Sequence, residues 1–272
     1  MTCKDNRFEE NLTTKTGEET GIIPLLSHTT KLLRRSWIIA FPVLIFGLII
    51  VAITSLYIKS NVERIAEKEF ISKCSEIKNR ISGRLKDQAR LLFSGKAFFD
   101  ASIEVTRDEW HIFIRQQRLQ QQLPGIQGLG FSLLIKPEDL NQHIQKIRNE
   151  GFPEYKVHPD GGRKLYTSTI YLEPFDYRNQ RAFGYDMLSE PVRRAAMEKA
   201  RDMNAAALSG KVLLVQETYK DVQAGALMYV PVYCRGMPIN SVEQRRAAIR
   251  GWVFSPYRIN NLLKGLLPEP YG

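Results

Sequence analysis

The sequence is poor in cysteine, with Cys3, Cys74 and Cys234 the only three in 272 residues, and none falls in a C-x-x-C or at ligand spacing from a histidine. That scarcity excludes a dense disulfide framework and a cysteine-built metal site. A bridge between Cys74 and Cys234 and two unrelated free thiols both remain open. Catalytic signatures are missing as well: there is no G-x-S-x-G, P-loop or H-E-x-x-H, and His28, His111, His143 and His158 are dispersed. Ser75-Glu76-Ile77-Lys78 fits S-x-x-K without an accompanying motif. The chain therefore reads as a non-enzyme, with no metal and no cofactor.

Acidic residues are the minority, 29 against 39 Lys and Arg, for a net charge of +10. The bases are interleaved with acids, as in RDEWHIFIRQQR, rather than gathered into a stripe, so nucleic acid is not the expected partner. The positive field suits a membrane surface or a small anionic solute equally well.

One stretch lacks charge altogether. Residues 37–58, WIIAFPVLIFGLIIVAITSLYI, form a run of 22, which at the helical rise spans roughly 33 Å, the thickness of a bilayer core. Trp37 and Tyr57 stand at its ends, where amphipathic rings prefer the interface. The run is too long for a signal-peptide core and no A-x-A follows it. Bases flank both ends, but Glu63, Glu67 and Glu69 dilute those on the second flank. The expectation is a cytoplasmic tail over residues 1–36 and a large domain on the outer side.

Beyond the span, Val62, Ala66, Phe70, Cys74, Ile77, Ile81, Leu85 and Leu92 recur in steps of three and four, with a break at Gln88. This predicts a stalk helix over residues 59–100, punctuated near Gly95. It could pack on its own domain, pair with a second copy, or do both. Thr106 and Glu109 form a capping box for a second helix ending near Leu123. The segment 129–135 reads as a strand, and Pro137 opens a helix with Leu140, Ile144 and Ile147 inward and Gly151 at its end.

Antiparallel strands follow in EYKVHP and in LYTSTIYLEP, where Tyr166, Ser168, Ile170 and Leu172 share a face. After FGYDML, Ser189 is the expected N-cap of a helix whose inner face is Val192, Ala195, Ala196, Ala200 and Met203. Arg193 and Arg201 read as solvated charges. ALSGKVLLVQE, GALMYVPVYC and AAIRGWVFSP complete the strands, with a polar loop at 235–246 between the last two. Helices followed by antiparallel strands give an α+β domain.

PGIQGLGFS (124–132), YLEPFDYRNQRAFGYDMLSEPVRRAAMEKARD (171–202), AALSGKVLLVQE (206–217), MYVPVY (228–233) and GWVFSPYR (251–258) together resemble the CHASE domains. These are sensor regions of bacterial histidine kinases and cyclic-dinucleotide enzymes and of plant cytokinin receptors. The resemblance implies a CHASE domain at 101–272 built of two PAS-like lobes with antiparallel sheets, a distal one at about 101–225 and an incomplete proximal one at about 226–272. It further implies a small-molecule ligand in the distal lobe, a homodimer through stalk and membrane helices, and a place in the inner membrane of a bacterium with the sensor domain periplasmic. The expected function is a membrane-anchored ligand-sensing module of a receptor such as a histidine kinase or diguanylate cyclase; the competing reading is a membrane-tethered protein-binding module. Because the chain stops at GLLPEPYG before a second span, it reads as truncated ahead of an output domain.

In the cytokinin-binding members an Asp contacts the ligand ring. The matching position is Asp176, with one residue of offset, and a pocket Thr falls on Ser209. The surrounding EPFDYRNQ differs from those members, so a cytokinin ligand does not follow. Phe175, Tyr171, Met187 and Met228 join the expected lining, against the competing reading of plain core packing. Asp176 itself could anchor a ligand group or cap its own turn. Asp186 and Ser189 are assigned to the strand end and the helix start.

Overall fold

The computed structural model describes residues 23–117, 125–218 and 222–264, with side chains from Trp37 onward. The tail before residue 23, the predicted end of the second helix near Leu123, and the chain end lie outside them. The contacts divide the chain into two units, residues 1–72 and 73–272. In the first, helix α1 (Ile23–Ala101) carries the apolar run, an 18-residue window of mean hydropathy 2.7 with none of it buried. It is long and apolar enough to cross a membrane. Val62, Ile65 and Phe70 on the same helix are also exposed.

The second unit is α+β around one five-stranded antiparallel sheet. Its strands are β1 (Leu129–Ile135), β2 (Tyr166–Glu173), β3 (Ala207–Leu208), β4 (Gly225–Tyr233) and β5 (Ile249–Arg258), in the order β2-β1-β5-β4-β3. The expected division near residue 225 does not separate sheets: β5 pairs with β4 from Gly225↔Arg258 and with β1 from Gly130↔Phe254. Among the described residues there is one sheet where two lobes were expected. Strands on both sides of that division need each other's edges to satisfy their backbone groups.

Each face of the sheet buries its own apolar layer. One layer joins Phe131, Val230, Val253 and Tyr257 to Leu92 and Phe99 of α1, to Trp110 and Ile114 of α2 (Arg107–Gln116), and to Ile147 of α3 (Leu140–Asn149). The other joins Leu227, Tyr229, Trp252 and Phe254 to Ala196, Met197 and Ala200 of α4 (Pro191–Met203) and to Ala248 of α5 (Val242–Ala248). A short helix, α6 (Ile259–Leu263), ends the described chain.

The capping box of α2 forms, Glu109 accepting from the Thr106 amide at 2.8 Å. The stalk helix runs through Gly95 to Ala101, because Gly95 faces inward where a Cβ would stand 3.1 Å from Val253. Gln88, the break in the stripe, is fully buried. EYKVHP is not a strand: it holds one isolated bridge, His158 to Tyr185. ALSGKVLLVQE contributes the two residues of β3 and one isolated bridge, Val212 to Gly225, and the loop at 235–246 contains the start of α5, capped by Ser241 and Gln244.

The face shared by Tyr166, Ser168, Ile170 and Leu172 breaks at a bulge. Phe131 pairs with Tyr171 but Ser132 with Thr169, so Ile170 is the extra residue. Beyond it the phase flips, and Leu172 enters the α4 layer while Tyr171 packs in the α1 layer.

A polar chain crosses the first layer. His143 Nε2 lies 2.8 Å from the Tyr155 hydroxyl, which bonds the Ser168 hydroxyl on β2. Burial, helped by Lys146, holds His143 down at about 4, and burial pushes Tyr155 up to about 12. Because the folded state resists protonating His143 while the unfolded chain takes up its proton near pH 6.5, stability falls as pH drops from about 6.5 to about 4. Urea midpoints measured across that window are expected to show the loss in the parent chain and a much flatter profile in His143→Gln.

Glycine is required at 184. Its φ is +81°, and a Cβ there would stand 2.2 Å from the Lys156 carbonyl oxygen, whereas the turn at Gly151, φ +99°, opens to solvent. Gly184→Ala is expected to cost more than about 3 kcal/mol in chemical denaturation and Gly151→Ala about 1 kcal/mol.

Candidate functional site

The residues expected to form one pocket are spread over the fold. Asp176 is exposed, and its Oδ1 accepts from the backbone N–H groups of Arg178 at 3.0 Å and Asn179 at 2.9 Å. It closes its own turn, the second of the two roles expected for it, and is not among the residues lining the neighbouring cavity at Phe175. Ser209 is buried with its hydroxyl committed on both sides, donating to Gly210 O and accepting from Leu227 N. Tyr171 donates to Val105 O at 2.8 Å, and the Arg107 guanidinium lies 5.2 Å from its ring.

Phe175 sits edge-on to Phe152 and Phe183 and lines a cavity of about 570 Å³ with them. Met228 lies in the α1 layer and Met187 in the α4 layer, where Tyr229 O–H reaches its sulfur at 3.5 Å. The sheet itself stands between these two methionines.

Asp186 is fully buried. Its Oδ1 accepts from Thr167 N, Thr167 Oγ1 and Leu188 N at 2.8–3.0 Å, and its Oδ2 stands 3.3 Å from Arg163 Nη1. It joins β2 to the 3-10 turn Met187–Ser189. Ser189 does not cap α4, because Pro191 takes the first helical position and the residue just before it becomes the cap. Glu190 fills that role, accepting from Val192 N at 3.0 Å and Arg193 N at 2.9 Å, while Ser189 Oγ donates back to Asp186 O.

That cap sets the helix phase. The buried positions of α4 are Arg193, Ala196, Met197 and Ala200, whereas Val192 and Met203 are 37% and 62% exposed. Arg193, expected in solvent, is 3% exposed. It lines a cavity of about 630 Å³ between the 181–193 segment and the 211–222 segment, together with Arg181, Tyr185, Glu190, Val212 and Leu214. A cavity of this size, lined by charged and polar groups beside Val212 and Leu214, suits a small polar molecule. Proline at the first helical position was the available signal: counted from Glu190, the spacing of 193, 196, 197 and 200 is that of one helix face.

A second device closes the α4 layer. Asp202 at the end of α4 is gripped by Arg246 of α5 at 2.6 Å and by Arg201 at 2.7 Å, which holds its carboxyl far below the usual carboxylate range. A depressed carboxylate stabilises above its unfolded value, near pH 4, and the benefit is lost as pH falls below that. Asp202→Asn is expected to lower the urea midpoint at pH 7 and to lower it less at pH 2, where part of the benefit is already lost. Asp186→Asn, which leaves Arg163 without its buried partner, is expected to cost about 3–5 kcal/mol. Asp176→Asn keeps an acceptor in its exposed turn and should cost under about 1 kcal/mol in the same assay.

Among the described residues no group of three or more His, Cys, Asp and Glu side chains is placed to hold a metal. The CHASE domain model matches residues 104–271. No curated protein matches the chain. CHASE domains are extracellular sensor domains of signalling receptors, and with well over half of its length matched this chain belongs to the CHASE domain family.

Proposed function

We propose that the chain is a membrane-anchored sensing module whose residues 37–58 cross a bacterial inner membrane, with residues 1–36 cytoplasmic and the CHASE domain periplasmic. Its five-stranded sheet is read as a PAS-like lobe, and the cavity beside Arg193 on the α4 face is read as the ligand site. The observation that carries this reading is that cavity of about 630 Å³, in a domain of a sensor family, beyond an apolar run long enough for a bilayer. A ligand there shifts a receptor only by binding its two states unequally. The output in a complete receptor would be a histidine kinase or a diguanylate cyclase.

The stalk supports a homodimer in the same proposal. Ile77, Ile81 and Leu85 of α1, with Leu208 and Met228, border an open apolar groove of about 690 Å³, and Cys74 lines it. Both Cys74 and Cys234 are exposed free thiols.

Single-cysteine variants test the topology and the dimer together. A membrane-impermeant maleimide is expected to label Cys74 and Cys234 in spheroplasts, and Cys3 only after permeabilisation. Labelling in the reverse pattern would overturn the orientation. Mild oxidation of membranes is expected to cross-link copies through Cys74 and not through Cys234; a chain that stays monomeric would remove the stalk dimer.

A further inference from the structure

The cavity beside α4 holds a buried guanidinium that forms no ion pair. The Arg193 guanidinium is buried, with Nη1 donating to the Tyr185 hydroxyl at 2.6 Å, Nη2 donating to Leu213 O at 2.7 Å, and Nε buried without a hydrogen-bond partner. The Tyr185 ring lies 4.9 Å from its carbon centre. All of these partners are neutral. Among the described residues no carboxylate forms an ion pair with Arg193.

The carboxylates that line the same cavity are already engaged. Glu190 gives its two oxygens to the N–H groups of Val192 and Arg193. Glu217 is clasped by Arg258, 6% exposed, at 2.8 Å. One buried arginine near this cavity is thus held in an ion pair within the chain and the other, Arg193, is not. At the rim, Arg181 and Lys211 are exposed and add to the positive potential. Val212 and Leu214 offer apolar wall.

We propose that the occupant is a small organic monocarboxylate whose charge is balanced by Arg193 and whose hydrocarbon or ring body packs against Val212 and Leu214. One guanidinium without an ion pair matches one carboxylate, and the apolar wall of Val212 and Leu214 matches an organic body rather than an inorganic anion. This rests on reading the cavity as the ligand site, and the experiment separates the two.

The full chain in detergent micelles is titrated with benzoate, hexanoate, phenylacetate and indole-3-acetate, each beside its primary amide, with neutral purines and cationic amines as a parallel set. Thermal shift and calorimetry give the readout. At least one carboxylate is expected to raise the melting midpoint while its amide does not, with an affinity that weakens as salt rises. Arg193→Gln is expected to weaken it about 10- to 150-fold, the range of a lost hydrogen bond to a charged group. Because Arg193→Gln can disturb the α4 packing, the exposed pair Arg181→Gln and Lys211→Gln provides a second variant, expected to weaken the carboxylate severalfold at an unchanged ligand-free melting midpoint. An amide that binds as well as its acid, or binding by neutral or cationic compounds alone, overturns the carboxylate proposal and leaves the ligand site standing. If nothing of any charge shifts the midpoint, the ligand site falls as well.

Discussion

The sheet depends on β5. It pairs with β1 along one edge and with β4 along the other, and it sends Val253 and Tyr257 into the α1 layer and Trp252 and Phe254 into the α4 layer. Trp252 Nε1 also donates to Met197 O at 2.9 Å, fastening α4 to the strand. Close approach on the other side is allowed by Gly130, where a Cβ would meet Phe254 at 2.6 Å. Since, among the described residues, β5 is the last strand and β1 the first, neither layer can close until residues more than a hundred positions apart have paired. Such non-local pairing is slow to form and is repaid by burial on both faces.

Local signals were legible where the controlling contacts are local. The bounds of β1, the capping box of Thr106 and Glu109, and the apolar face of α3 follow from propensity, capping and period. The bulge at Ile170 was not legible, because the extra residue is defined by register against β1, some forty positions earlier. EYKVHP shows alternation yet has no strand partner beyond one bridge, and alternation without an available edge does not make a strand. The single described sheet was not legible either: the resemblance implied a division near residue 225, and which edges pair across it is set by β5 against β1 and β4.

Site residues were less legible still. Asp176 and Asp186 look alike in sequence, each flanked by aromatic or apolar residues, but one is an exposed turn and the other is fully buried beneath Thr167 and Arg163. What separates them is a partner from β2 and a partner from the loop before it, neither adjacent in sequence. Arg193 was missed because the inner face was drawn through Val192, Ala195 and Met203, which are exposed or half-exposed, rather than through Arg193 and Met197; the expected and observed faces share Ala196 and Ala200.

That buried guanidinium also bears on how such a site could report its ligand. Through Tyr185 and Leu213 O, Arg193 ties the segment before α4 to the segment after β3. An open arrangement would let water solvate the guanidinium and would lower the desolvation cost. An anion that balances the charge in the closed arrangement gains its full electrostatic benefit there and little of it in the open one, because water screens the pair once it is exposed. Under the proposed reading, the ion-pair-free guanidinium would supply the unequal affinity for two states that signalling requires, and it would do so at α4, the helix that β5 holds against the sheet through Trp252.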